Sequence, residues 1–127
     1  MIRGLRTVVY FVEDLKAATS WYENLAGHAP YFKEPFYVGF NVGGFELGLH
    51  PVEQPVVRGD SPQAYWAVDD IDAAWPALLA QGATIHRAIE DVGGGIRLGT
   101  VRDPWGNVVG VIQNASFRFD EKPASTA

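Results

Sequence analysis

The 127-residue chain contains no cysteine. That excludes disulfides, thiolate zinc sites and cysteine nucleophiles. Basic charge is scarce. Ten Lys and Arg stand against fifteen Asp and Glu, for a net charge of −5. No basic stripe runs along the sequence, so nucleic acid is not an expected partner. An anionic ligand would have to be met by a few local cations, because the global field has the wrong sign. Long apolar runs are missing too. None approaches 18 residues, and the opening MIRGLRTVVYF lacks the apolar core of a signal peptide. The expectation is a soluble, cytoplasmic chain with no membrane partner.

What is present suits a folded domain. Hydrophobic residues make up 47% and charged residues 20%, enough to bury a core and too apolar for disorder. The length fits one domain. The informative feature is an internal echo: VEDLKAA at 12–18 returns as VDDIDAA at 68–74. Each follows an apolar strand-like run, and Asp14 and Asp70 are each placed to cap a helix. Leu15, Ala18, Trp21, Tyr22 and Leu25 recur at helical spacing over 15–26. Ile71, Ala74, Trp75, Leu78 and Leu79 do so over 71–81, with Pro76 as a blemish. Gly27 and Gly82 stand where helices end.

Strand-like segments follow each helix: 29–32, 37–42 and 45–50 in the first half, and 84–87, 96–102 and 108–113 in the second. Both halves read β-α-β-β-β. The predicted architecture is α+β, one domain of two modules, 3–50 and 63–114. A Pro-rich connection at 51–62 joins them, and a polar tail of 115–127 is expected to be loose. The turn Asp103-Pro104-Trp105-Gly106 has turn chemistry at each position, and Asn107 follows it. The strand after it carries Gly110, which packs nothing and weakens a strand by roughly 0.5–1 kcal/mol relative to Ala. Gly48 is its twin: each lies four residues after a turn glycine, Gly44 or Gly106. A repeated glycine suggests that something needs the room.

The segments VEDLKAATSWYENLAG, VDDIDAAWPALLAQGA and DPWGNVVGVIQ, in that order, resemble the vicinal oxygen chelate superfamily. That superfamily includes glyoxalase I, bleomycin-resistance proteins and extradiol dioxygenases. The resemblance covers roughly residues 3–114. It implies that each module's strands form half of a cup, and that the cups are often completed in a homodimer. It also implies four metal-ligand positions, one on the first and last strand of each module. Here they fall on Thr7, Gly48, Gln63 and Gly110. Only Gln63 is a ligand type the superfamily uses, and a catalytic metal needs about three protein ligands. No cofactor is therefore expected, and a divalent metal is the second reading. Glu46 and His50 do not substitute, since four residues along a strand span about 13 Å.

Alternation lists the cup face. Thr7, Val9 and Phe11 fall on it in the first strand, and Glu46, Gly48 and His50 in the fourth. Gln63, Tyr65 and Ala67 follow in the second module, then Val108, Gly110 and Ile112 in its last strand. With glycines at two ligand positions, the floor of the cup is expected to be empty. Glu46 in a partly apolar cup would have a raised pKa and move a proton, or else be a rim carboxylate in water. His50 reads as a rim residue. His28 and His86 have no visible partner. Arg97, after the glycines 93–95, resembles part of a lid and would clamp an anion, or else is a solvated strand arginine. Trp21, Trp66 and Trp75 read as core. Trp105 reads as an exposed or interface aromatic.

The favoured function is metal-independent binding of a small, partly apolar organic molecule, as in the drug-binding and resistance members of the superfamily. The ligand would contact Thr7, Val9, Phe11, Glu46, Gly48, His50, Gln63, Tyr65, Ala67, Arg97, Gly110 and Ile112. The alternative is a lyase, isomerase or dioxygenase, metal-dependent or with Glu46 as base. A third reading is a non-catalytic dimerisation module with a filled cup.

Overall fold

The computed structural model describes residues 1–116; the tail beyond them, with the expectation placed on it, lies outside the described residues. The first module runs β1 (Thr7–Val12), α1 (Leu15–Ala26), β2 (Phe32–Glu34), β3 (Tyr37–Val42) and β4 (Phe45–Pro51). The second runs β5 (Ala64–Ala67), α2 (Ile71–Ala80), β6 (Thr84–Asp91), β7 (Arg97–Arg102) and β8 (Val108–Gln113). Each module folds as one four-stranded mixed sheet, in order β1-β4-β3-β2 and β5-β8-β7-β6. In each sheet the edge pair formed by the module's first and last strands, β1–β4 or β5–β8, is parallel and the rest are antiparallel.

Both helices start where the aspartates require. The Asp14 side chain accepts from the Ala17 amide, and Asp70 accepts from Asp72 and Ala73. These bonds satisfy amides the helix itself leaves open. Gly27 closes α1 in the left-handed region at φ 81°. In α2 the helix ends at Ala80 and the cap is Gln81, one position earlier than expected, with Gly82 following at positive φ. The helix runs through Pro76, which is exposed, so the ring meets solvent and the cost is confined to one backbone bond.

Two strands depart from the expectation. β2 begins at Phe32 rather than residue 29. Pro30 has no N–H to give a ladder, and Tyr31 is the first residue to bond across, its amide reaching the Gly39 carbonyl at 3.0 Å. β6 extends to Asp91, with register shifts at residues 85–87 and 87–90 that let it follow β7. Gly93, Gly94 and Gly95, all at positive φ, turn it into β7. They form a hairpin loop closed by Val92 and Ile96.

One core serves both modules. Tyr22, Phe40, Leu49, Ile71, Leu78, Val101 and Val111 are all buried in it. Burying a side chain of this size contributes about 1.5–3 kcal/mol. Three polar contacts lock the modules together inside it. Trp21 donates to the Gln81 carbonyl at 2.9 Å, Trp66 to the Tyr10 hydroxyl at 3.0 Å, and Tyr22 to the Asp103 carboxylate at 2.5 Å. Trp105 packs edge-on against Trp21, 6.4 Å between centroids. It is therefore an inter-module contact rather than an exposed ring. The longest helix has 12 residues, and no helix among the described residues is long and apolar enough to cross a membrane.

Candidate functional site

Strand alternation places the side chains as the sequence implied. Tyr10 and Val12 of β1 are buried against the core, while Val9 and Phe11 on the opposite face are 41% and 39% exposed. In β5, Trp66 packs against the core and Tyr65 is 37% exposed. β1 and β5 are edge strands, and the modules meet beside them. A cleft of about 430 Å³ lies there, walled by Leu5, Val8, Val42, Phe45 and Trp66, with Gln63, Tyr65 and Ala67 on its second-module side. A trough of about 540 Å³ follows β1. It brings Thr7, Val9, Phe11 and Gln63 together with Val57 and Arg58 of the connection. Arg58 holds that connection down: it donates to the Phe11 carbonyl and the Asn107 side chain, both at 2.6 Å, and pairs with Glu13. Ile112 joins Tyr65 and Ala67 in a third hollow.

The floor is not empty, and this corrects the sequence expectation. A Cβ at Gly48 would lie 1.9 Å from the Tyr37 hydroxyl, and a Cβ at Gly110 would lie 2.6 Å from the Tyr65 ring. Tyr65 is the direct strand partner of Gly110, and Tyr37 lies two residues before Gly39, the strand partner of Gly48. Neither glycine has positive φ. The glycines thus exist for space, and tyrosine rings use that space.

Glu46 is also corrected. One carboxylate oxygen accepts from Thr7 at 3.0 Å and Arg6 at 3.3 Å, and the other accepts from the Tyr31 hydroxyl. The Tyr31 bond is the main reason its pKa is lowered, with Thr7 and Arg6 adding to the effect against a smaller opposing push from burial. A stabilised carboxylate with both oxygens engaged is a poor base. The Tyr31 phenol is pushed up chiefly by donating to Glu46, and the Tyr37 phenol chiefly by burial.

The four ligand positions fail the metal test on their own chemistry. Thr7 is committed to Glu46, Gln63 accepts from the Tyr65 hydroxyl at 2.9 Å, and both glycines lie against tyrosines. Among the described residues no three His, Asp or Glu side chains converge to hold a metal. His50 is not a free rim residue. It lies between Phe11 and Tyr37, and its Nδ1 is 2.7 Å from the Pro51 carbonyl. Arg97 lies away from the cup. It shares a face of β7 with Gly99, which abuts Trp75, and its guanidinium makes two bonds to Asp72 at the start of α2. His86 does have partners: Thr100 at 2.8 Å and Asp60 at 3.0 Å, with Arg102 also on Asp60 at 2.7 Å.

Sequence reasoning missed Tyr31, Phe32, Phe36 and Tyr37. Their signal was the aromatic density of YFKEPFY, but the faces of the predicted strands at 29–32 and 37–42 were not sorted, and Phe36 fell in the unassigned turn between them.

Residues 4–111 match the family profile described as the Glyoxalase/Bleomycin resistance protein/Dioxygenase superfamily. The fold is similar to that of a glyoxalase-related enzyme from Fulvimarina pelagi, at 22% identity and TM-score 0.73 over 89% of each chain. It is similar to a glyoxalase/bleomycin resistance protein from Albidiferax ferrireducens T118, at 21% identity and TM-score 0.71 over 87% of this chain and 98% of that one. It is also similar to TioX from Micromonospora sp. ML1, at 20% identity and TM-score 0.68, with the same coverage. No curated protein matches the chain in sequence.

Proposed function

Because the chain belongs to the glyoxalase/bleomycin resistance protein/dioxygenase superfamily, whose fold serves many chemistries, we propose a function from the site itself: binding of a small, partly apolar organic molecule without a metal. One observation carries this reading. The positions that would ligate a metal are spent on internal contacts, while Val9, Phe11 and Tyr65 stay open on the strands beside the cleft and trough. Apolar walls with a few fixed polar groups are the usual make-up of a small-molecule site. The side-chain amide nitrogen of Gln63, which lines both hollows, supplies such a group here, its oxygen being the atom that Tyr65 holds. The geometry of Glu46 does not favour acid–base catalysis at that residue, since tyrosine, threonine and arginine donors occupy it.

The test is calorimetric titration of chelator-treated protein at pH 8 with acridine, a flat neutral heterocycle under those conditions. The reading expects micromolar affinity, about −8 kcal/mol, unchanged by added nickel or zinc and lost in Val9→Gln. Absence of binding, or binding that appears only with metal, overturns it.

A further inference from the structure

Five rings form a continuous file across one face of the first sheet. Phe11 of β1 and His50 of β4 have centroids 5.4 Å apart, and His50 and Tyr37 of β3 are 6.4 Å apart. Tyr37 and Phe32 of β2 follow at 6.2 Å, then Phe32 and Phe36 of the β2–β3 turn at 6.1 Å. The rings are tilted or edge-to-face, with interplanar angles of 52°, 70°, 53° and 68°. Register builds the file, because Phe11 pairs with His50, and Tyr37 and His50 flank the Val38–Leu49 pair at the end of the β3–β4 ladder. Rings in a core are covered. Here Phe32 is 37% and Phe36 61% exposed, and Phe11 is open as well.

The face carries negative charge. Glu34 is the strand partner of Tyr37 and has no ion-pair partner among the described residues. Glu46 lies farther along β4 on the same face, with Arg6 as its ion-pair partner at 3.3 Å. Lys33 alternates to the opposite side, pairing with buried Val38. The whole chain is net negative. Ring faces attract cations through their quadrupole, and a nearby carboxylate adds to that attraction.

We propose that this file of rings, flanked by Glu34, is the docking surface for a flat organic cation, a fused-ring or aryl-ammonium species. The proposal rests on the small-molecule reading above and names its ligand class. The rings take the flat surface of the ligand, and Glu34 takes its charge. Phe36 and Phe32 at the sheet edge are open for a ligand to slide onto.

The test compares two isosteres on the full chain at pH 8 and low salt, 10-methylacridinium and neutral acridine. The cation should bind about tenfold more tightly. Glu34→Gln should reduce that preference to about two- or threefold and leave the affinity for acridine unchanged, which a merely structural role of Glu34 would not do. Phe32→Ser, on an exposed edge strand, should weaken both ligands. Equal affinity for the two isosteres overturns this proposal and leaves the small-molecule reading standing. Failure of both to bind overturns both. If the rings instead seat a second copy of the chain, methylacridinium will not bind and Phe32→Ser/Phe36→Ser will turn a dimer into a monomer, which also overturns the proposal.

Discussion

The hydroxyl of Tyr37 occupies the space that any side chain at Gly48 would need; the two approach so closely that a Cβ there would lie 1.9 Å from it. Gly39 stands opposite Gly48 across the β3–β4 ladder, and a Cβ there would meet Glu46 and Tyr31. The centre of the first sheet is therefore pared back to main chain, leaving room for tyrosine side chains and a carboxylate over it.

The two twin glycines should respond differently to substitution. At Gly48 the obstacle is the far end of a half-buried side chain, which can swing aside. At Gly110 it is the Ala64 carbonyl, 2.6 Å away in the parallel partner strand, and main chain does not yield cheaply. Gly48→Ala should cost under about 1 kcal/mol in urea denaturation, whereas Gly110→Ala should cost about 1–3 kcal/mol. Adding Tyr37→Ala should remove the Gly48→Ala cost, a direct sign of coupling between the pair.

Asp103 should prove structural. It is 4% exposed and caps its own turn, accepting from the Trp105 and Asn107 amides and the Asn107 side chain as well as from Tyr22. Burial, together with the Asp103 charge and bond, holds the Tyr22 phenol well above its ordinary range, so it stays a donor at any physiological pH. Tyr22→Phe should cost about 1–3 kcal/mol by leaving a buried carboxylate short of one donor. Asp103→Ala should cost more, because it strands the phenol and unties the turn together. Denaturant midpoints of the two variants give the order.

Acid should loosen the connection between the modules. Asp60 has its pKa lowered below 3.8, first by the bond from His86 and then by the charges of His86 and Arg102. A group depressed in the fold contributes stability that is fully present above its unfolded pKa and lost as pH falls through the folded one. Stability should therefore decline below about pH 4, and Asp60→Asn should flatten that decline. Salt should narrow the difference between the two proteins, since the pair is solvent-facing. Melting temperature from pH 7 down to pH 2.5 is the measurement.

Arg97→Gln should leave the affinity for either acridine unchanged, because its guanidinium is tied to Asp72 at the start of α2. A loss of binding in this variant would return Arg97 to the site.

Most of the fold was legible in local pattern. α1, β3 and β8 lie where the periodicity placed them, and both caps are the aspartates of the echoed segments. Alternation also sorted the two faces of β1, β4 and β5 correctly, because a strand's period of two is a local property. β2 was displaced by Pro30, and β6 outran its apparent end because pairing with β7 rescued a polar stretch that has little strand pattern of its own.

The site was legible only in part, and the division has a physical cause. By itself the sequence determined the two modules, the helix starts, the open faces of β1 and β5, and the lack of ligand-type side chains at Gly48 and Gly110. Only the tertiary structure decided what covers those glycines, which donors saturate Glu46, that Arg97 serves α2, and that His86 meets Asp60. Each of these is a contact between segments far apart in the chain, or across a strand pair. Such contacts depend on register and turn geometry, which the period of a single strand does not carry.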